Sequence, residues 1–66
     1  MFTKEYFRNL RVELGYTQAI FAAKLKVSQS AVSHWESGYS KPSVPALYRL
    51  KKLSDRLYKK SRNRHG

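Results

Sequence analysis

"TQAIFAAKLKVSQSAVSHWESG", from Thr17 to Gly38, carries the clearest structural signal in this sequence. Apolar residues keep a helical spacing up to Leu25, break briefly, and resume from Val27 to Trp35. The break leaves room for a turn of about three or four residues, and so short a turn forces two helices to cross steeply. The stretch therefore predicts two helices joined as a helix-turn-helix.

Residues that begin and end helices surround these two segments. The N-cap candidates are Thr3, Thr17, Ser28 and Ser43, and the stop candidates are Gly15 and Gly38. The apolar stripes that they delimit are Phe7, Leu10 and Leu14; Ile20 or Phe21 with Ala22 and Leu25; Ala31, Val32 and Trp35; and Leu47, Leu50, Leu53 and Leu57. The spacing leaves open whether residues 54–60 form a separate fifth helix. The fold class expected is all-α, a compact bundle of four or five short helices over residues 1–60, followed by a basic, disordered tail at 61–66.

Length and composition exclude several classes of protein. The chain has 66 residues, which is one small domain, and no cysteine, so neither a disulfide framework nor a cysteine-based zinc site is expected. The histidines, His34 and His65, are far apart in sequence, and no acidic pair or glycine-rich phosphate loop accompanies them. We therefore expect no metal site, no cofactor, no small-molecule ligand and no catalysis. Without an apolar run of roughly 20 residues or signal-peptide features, no membrane association is expected, and the location expected is cytoplasmic, on the nucleoid.

Charge indicates the kind of partner. Lysine and arginine total 14 against 4 acidic residues, which gives a formal net charge of +10. Most of the cations lie from Arg49 onward, where Asp55 is the one acidic residue. Such an imbalance predicts attraction to a polyanion, with nucleic acid favoured over an anionic membrane. The alternative is a solvated basic face with no partner.

The second helix of the opening stretch has an unusual outward face. Because Val32 and Trp35 share the side turned to the core, the residues left outside are uncharged and rich in hydrogen-bonding groups: Gln29, Ser30, Ser33 and His34. Amide, hydroxyl and imidazole groups can pair with base edges in the major groove of DNA. These four side chains are therefore predicted to contact bases, while surrounding lysines and arginines hold the phosphates. An ordinary solvent-facing helix is the alternative.

From Leu10 to about Leu53 the chain resembles the Xre/Cro-type DNA-binding family of phage repressor and Cro-like domains. The matching elements are "LR..LG.TQ", "VS.S.VS.WE.G" and "KPS". The resemblance implies a lambda-repressor-like fold and assigns phosphate contacts to Gln18, Ser28, Ser37, Tyr39 and Lys41. It also implies a largely buried salt bridge between Arg11 and Glu36. One departure is Lys26, which stands in the turn where the family usually has glycine.

The function expected is a sequence-specific regulator of transcription that reads double-stranded DNA, in the manner of a Cro protein or repressor. Its operator would be an approximate palindrome read by a homodimer formed at least on DNA, with half-sites about 34 Å apart. One alternative is an antitoxin-like module, whose main partner is a protein and which regulates its own promoter. Another is a non-specific nucleic-acid binder that relies on its basic tail. Random DNA would then displace the protein from any candidate operator.

Overall fold

The computed structural model describes residues 2–63, with side chains up to Leu57. Within this range the chain forms four helices and no strand: α1 (Lys4–Leu14), α2 (Gln18–Leu25), α3 (Gln29–Ser37) and α4 (Val44–Asn63). The predicted all-α helix-turn-helix bundle is confirmed. Residues 54–60 continue α4, so the described chain has no separate fifth helix there. Of the expected tail, residues 61–63 belong to α4, and residues 64–66 lie outside the described range.

Side-chain hydroxyls begin the first three helices, as the sequence predicts. Each hydroxyl oxygen accepts a hydrogen bond from the backbone N–H three residues ahead, which would otherwise have no partner. The pairs are Thr3 with Tyr6 at 3.2 Å, Thr17 with Ile20 at 3.2 Å, and Ser28 with Ala31 at 3.1 Å. At α4, the backbone N–H of Leu47 donates to the carbonyl of Ser43, and Pro45 occupies the first turn, where a missing N–H is tolerated.

The same three helices end in the same way. Gly15, Lys26 and Gly38 each adopt a left-handed conformation, with φ of 78°, 60° and 84°. In each case the next residue's N–H donates back five residues, as Val27 does to the Ala22 carbonyl at 3.0 Å. This is the Schellman ending, which suits glycine because a Cβ atom is disfavoured at positive φ. Lys26 keeps the glycine-like conformation of the family's turn although it carries a side chain.

One apolar core joins all four helices. Its buried residues are Phe7, Leu10, Phe21, Ala22, Leu25, Val32, Trp35, Ala46, Leu50 and Leu53. The choice between Ile20 and Phe21 is settled in favour of Phe21, which is fully buried, whereas Ile20 is 45% exposed. Helix α3 packs on α1 and α2, and α4 packs on α2, where Arg49 Nη1 donates to the carbonyl of Leu25 at 3.3 Å. No helix in the described range is long and apolar enough to cross a membrane.

Candidate nucleic-acid interface

Helix α3 divides cleanly into a buried side and an exposed side. Val32 is fully buried and Trp35 is 4% exposed, and both belong to the core. The four residues predicted to contact bases are all exposed: Gln29, Ser30, Ser33 and His34. We call these four residues the reading face. The structure therefore leaves their amide, hydroxyl and imidazole groups open to a partner, and it places no charged side chain among them.

The far end of the reading face is supported by the loop that follows it. The imidazole of His34 lies against the phenol ring of Tyr39, with ring centroids 4.8 Å apart. The Schellman ending at Gly38 creates this contact, because it turns the chain back and lets the Tyr39 N–H donate to the His34 carbonyl at 2.9 Å. The only signal for this contact in the sequence is the glycine between the two rings.

The residues expected to hold phosphates surround the reading face, but they are not equally available. Tyr39 is 79% exposed, and Lys41 is exposed in the loop before α4. The hydroxyl of Ser28 accepts the capping hydrogen bond at the start of α3, so its own proton is free to be donated. The hydroxyl of Ser37 instead donates to the carbonyl of His34 at 3.1 Å. Ser37 can donate to a phosphate only by giving up that bond.

A bidentate ion pair ties the end of α3 to α1. Arg11 Nε donates to Glu36 Oε2 at 2.7 Å, and Arg11 Nη2 donates to Glu36 Oε1 at 3.1 Å. The side chains are 16% and 8% exposed, so water competes little for the pair. The third donor used, Arg11 Nη1, reaches the carbonyl of Tyr16 at 3.0 Å. Because the pair joins two helices and a turn, it fixes the direction in which α3 projects.

Gln18 completes this network at the start of α2. Its Nε2 donates to Glu36 Oε1 at 3.2 Å, so one of the two amide protons is committed within the protein. The second amide proton remains to be donated to a phosphate, the role that the family resemblance implies. The family resemblance predicts a phosphate contact for Gln18 but not its hydrogen bond to Glu36. A contact between residues 18 positions apart leaves no signal in local spacing.

The environment of Glu36 changes its acidity. Burial alone would raise the pKa of the carboxyl group, but the hydrogen bonds from Arg11 and Gln18 and the charges of Arg11 and Arg8 outweigh it. The net pKa of Glu36 is lowered from its ordinary value of 4.5. The Glu36 hydrogen bond in turn raises the pKa of the Arg11 guanidinium, against the opposing effect of burial. Both groups are therefore charged at neutral pH, as a bidentate pair requires.

Two exposed lysines flank α3 from the turns. Lys26 stands two residues before its N-cap, and Lys41 three residues after Gly38. Within the described residues, no cluster of histidine or acidic side chains could hold a metal ion. The arrangement is thus an uncharged reading face on α3, with an exposed lysine in the segment before and after the helix and a partly buried ion pair at its C-terminal end.

Comparison with known protein families shows to which family the chain belongs. The family model described as Helix-turn-helix matches residues 7–57, which include all of α2 and α3 and most of α1 and α4. Comparison with curated proteins and with solved structures gives no significant match. The matched range contains the whole reading face and its supporting network. The chain belongs to the Xre/Cro-type helix-turn-helix family of DNA-binding regulators.

Proposed function

We propose that the protein is a repressor-type regulator that reads a specific double-stranded operator by placing α3 in the major groove. The observation that carries this proposal is the composition and exposure of the reading face. Gln29 can pair in bidentate fashion with adenine, and the hydroxyls of Ser30 and Ser33 can pair with several base edges. A face of this kind gains little from phosphates alone, so its hydrogen-bonding groups are best explained by contact with bases.

The surrounding residues suit the positioning role that phosphate contacts have in such complexes. We assign this role to Gln18, Ser28, Tyr39 and Lys41, and to Ser37 if it releases the His34 carbonyl. Gln18 supports the assignment because its amide is anchored on one side by Glu36 and keeps one donor free. A phosphate there would lie at the N-terminus of α2, where unpaired N–H groups and the helix dipole favour an anion.

One domain of this size presents a small interface, so we propose that two copies bind two half-sites. Single DNA-binding modules bury about 600–1,000 Å² of protein surface, which limits the affinity of one copy. Two-fold pairing on DNA would make the operator an approximate palindrome, with half-site centres about 34 Å apart.

Selection of bound duplexes from a random pool tests the proposal. We expect the wild-type chain to enrich an inverted repeat, with the two arms spaced by about one helical turn. Affinity should fall by about 10³–10⁵ between 50 and 200 mM salt if 6–10 phosphates are contacted. A pool that shows no enriched sequence after repeated rounds would contradict sequence-specific reading.

A pair of variants then separates base reading from general binding. Gln29→Ala should change which sequences are enriched, with discrimination at one base-pair position weakened by about 1–3 kcal/mol. Asn9→Ala is the matched control, because Asn9 is also an exposed amide but lies on α1. It should leave the enriched sequence unchanged. The assignment fails if Gln29→Ala weakens every sequence equally.

A further inference from the structure

The outward side of α4 carries a group of positively charged side chains apart from the lysines that flank α3. Lys51, Lys52 and Arg56 are exposed and lie within two turns of one helix; we call them the α4 basic face. The Lys52 ammonium sits over the ring of Tyr48, 5.0 Å from its centroid, which limits where this long side chain can go. Asp55, the only acidic residue among the described α4 side chains, is exposed on the same side one turn after Lys51 and Lys52, which leaves the face with a net charge of +2.

This face is separate from the reading face. The inner sides of α3 and α4 meet the same core, through Val32 and Trp35 on α3 and through Leu50 and Leu53 on α4. Each helix therefore presents a different outer set of side chains to solvent. The hydrogen bond from Arg49 to the α2 backbone holds α4 against α2. A duplex on α3 that also met the α4 basic face would lose affinity when that face is neutralised, and the experiment below measures this.

A second copy of the chain is a poor occupant for this surface. Two molecules paired through it would bring their lysines and arginines together, and like charges at close range repel. Among the described residues of α4, the large apolar side chains that are exposed are Val44 and Tyr48. Within the described part of α4, these two side chains offer little apolar area for the hydrophobic centre of an interface between two copies.

An anionic membrane is also disfavoured as the occupant. Helices that lie on a membrane insert an apolar face between the lipids, beside a basic polar face. The apolar face of α4 is already used, because Ala46, Leu50 and Leu53 are buried in the core. The exposed charged side chains that remain are mostly cations held along one helix, and they complement the regular charges of a duplex backbone.

We propose that the α4 basic face binds the phosphate backbone of a second DNA duplex, so that a molecule bound to its operator joins two DNA segments. The part of the proposal that concerns the operator rests on the function proposed above. The contact is with phosphates and carries no sequence preference of its own, because lysine and arginine on this face meet the backbone rather than base edges.

A two-duplex capture experiment tests this. One probe is a duplex enriched by wild-type selection and immobilised on beads; the other is a labelled random-sequence duplex of about 30 base pairs, long enough for the phosphate contacts expected here. The wild-type chain should retain the labelled duplex on the beads. The variant Lys51→Gln/Lys52→Gln/Arg56→Gln should capture at least ten-fold less of it, yet bind the immobilised duplex within about three-fold of wild type.

Two control variants separate the face from folding and from net charge. Lys51→Arg/Lys52→Arg/Arg56→Lys keeps every charge and should capture like wild type. The variant Lys4→Gln/Lys24→Gln removes cations that are exposed on α1 and α2, and should retain most of the capture. Unchanged helical circular dichroism in all three variants would show that each is folded.

Each remaining outcome bears on the proposal. Capture by the glutamine triple variant at the wild-type level would overturn it, since two copies joined elsewhere would then explain the bridging. An equal loss of binding to both duplexes in the glutamine triple variant would overturn it too, because the α4 basic face would then contact the immobilised duplex itself. Displacement of the labelled duplex by phosphatidylserine vesicles or duplex RNA at lower phosphate concentration than by DNA would assign the face to that other polyanion. If Gln29→Ala leaves the enriched sequence unchanged while capture still depends on α4, the proposed operator reading fails and the α4 contact stands.

Discussion

Replacing Glu36 by glutamine should destabilise the fold far more than its small change in shape suggests. Glu36 accepts three hydrogen bonds, two from Arg11 and one from Gln18. In the variant, one carboxylate oxygen becomes an NH₂ group that faces donors instead of accepting from them. Arg11 keeps its bond to the carbonyl of Tyr16, but its charge loses its partner in a site where it is only 16% exposed.

Breaking a buried ion pair by removing one partner costs about 3–5 kcal/mol. Because the Arg11–Glu36 pair is only partly buried and Arg11 retains one hydrogen bond, we expect the lower end, about 3 kcal/mol. A domain of this size has about 3–10 kcal/mol in total, so Glu36→Gln removes a large share of its stability. The melting temperature should fall by about 12–24 °C.

Urea unfolding followed by the fluorescence of Trp35, the single tryptophan, measures this loss. Glu13→Gln is the matched control, because Glu13 is exposed and should change the free energy of unfolding by no more than about 0.5 kcal/mol. A double-mutant cycle with Arg11→Met should give a coupling energy of about 2 kcal/mol or more between Arg11 and Glu36. The reasoning is refuted if Glu36→Gln lies within 1 kcal/mol of Glu13→Gln, or if the coupling is close to zero.

Three further predictions concern pH and the left-handed positions. The pKa of Glu36 is lower in the folded chain than its ordinary 4.5, so the unfolded chain binds the proton more readily. The stability that the ion pair contributes should therefore be complete above about pH 5 and lost as pH falls through the folded pKa. Urea midpoints measured from pH 6 to 2.5 should show this fall in the wild type and a weaker one in Glu36→Gln. Lys26→Gly should raise the free energy of unfolding by about 0.5–1 kcal/mol. The relief of about 1–2 kcal/mol of left-handed strain exceeds the free-energy cost of the more flexible unfolded chain. A melting temperature at or below that of wild type would contradict this. Gly15→Ala and Gly38→Ala should each cost about 1 kcal/mol by thermal unfolding. The two costs should agree within about 0.5 kcal/mol, because a Cβ at position 38 meets only the movable Cδ of Lys4 at 3.3 Å; a far larger cost at position 38 would mean that Lys4 cannot move aside.

Much of the fold could be predicted because its signals are local. Thr17 and Ser28 indicate where α2 and α3 begin, because their side chains bond to a nearby backbone N–H. Gly38 indicates where α3 ends, because glycine favours the left-handed conformation found there. The end of α2 at Lys26 is predicted only from the apolar spacing, which breaks after Leu25, because a lysine gives no signal for a left-handed turn. A regular apolar period thus compensated for a missing glycine.

The parts that sequence left open depend on contacts between distant residues. Ile20 and Phe21 fit the apolar stripe of α2 equally well, because that helix is apolar on nearly every side, and only packing against other helices separates them. The bond from Arg49 to the carbonyl of Leu25 joins residues 24 positions apart. No local pattern reports such a bond, and the same holds for the link between Gln18 and Glu36.

The burial of the Arg11–Glu36 pair has a practical consequence for handling the protein. Dissolved ions screen exposed charges strongly and enclosed ones weakly, so raising the salt concentration should strip the protein from DNA while the ion pair stays intact. Helix α3 would then keep its alignment during a high-salt wash. Dilution back to low salt would then restore binding with no refolding step in between.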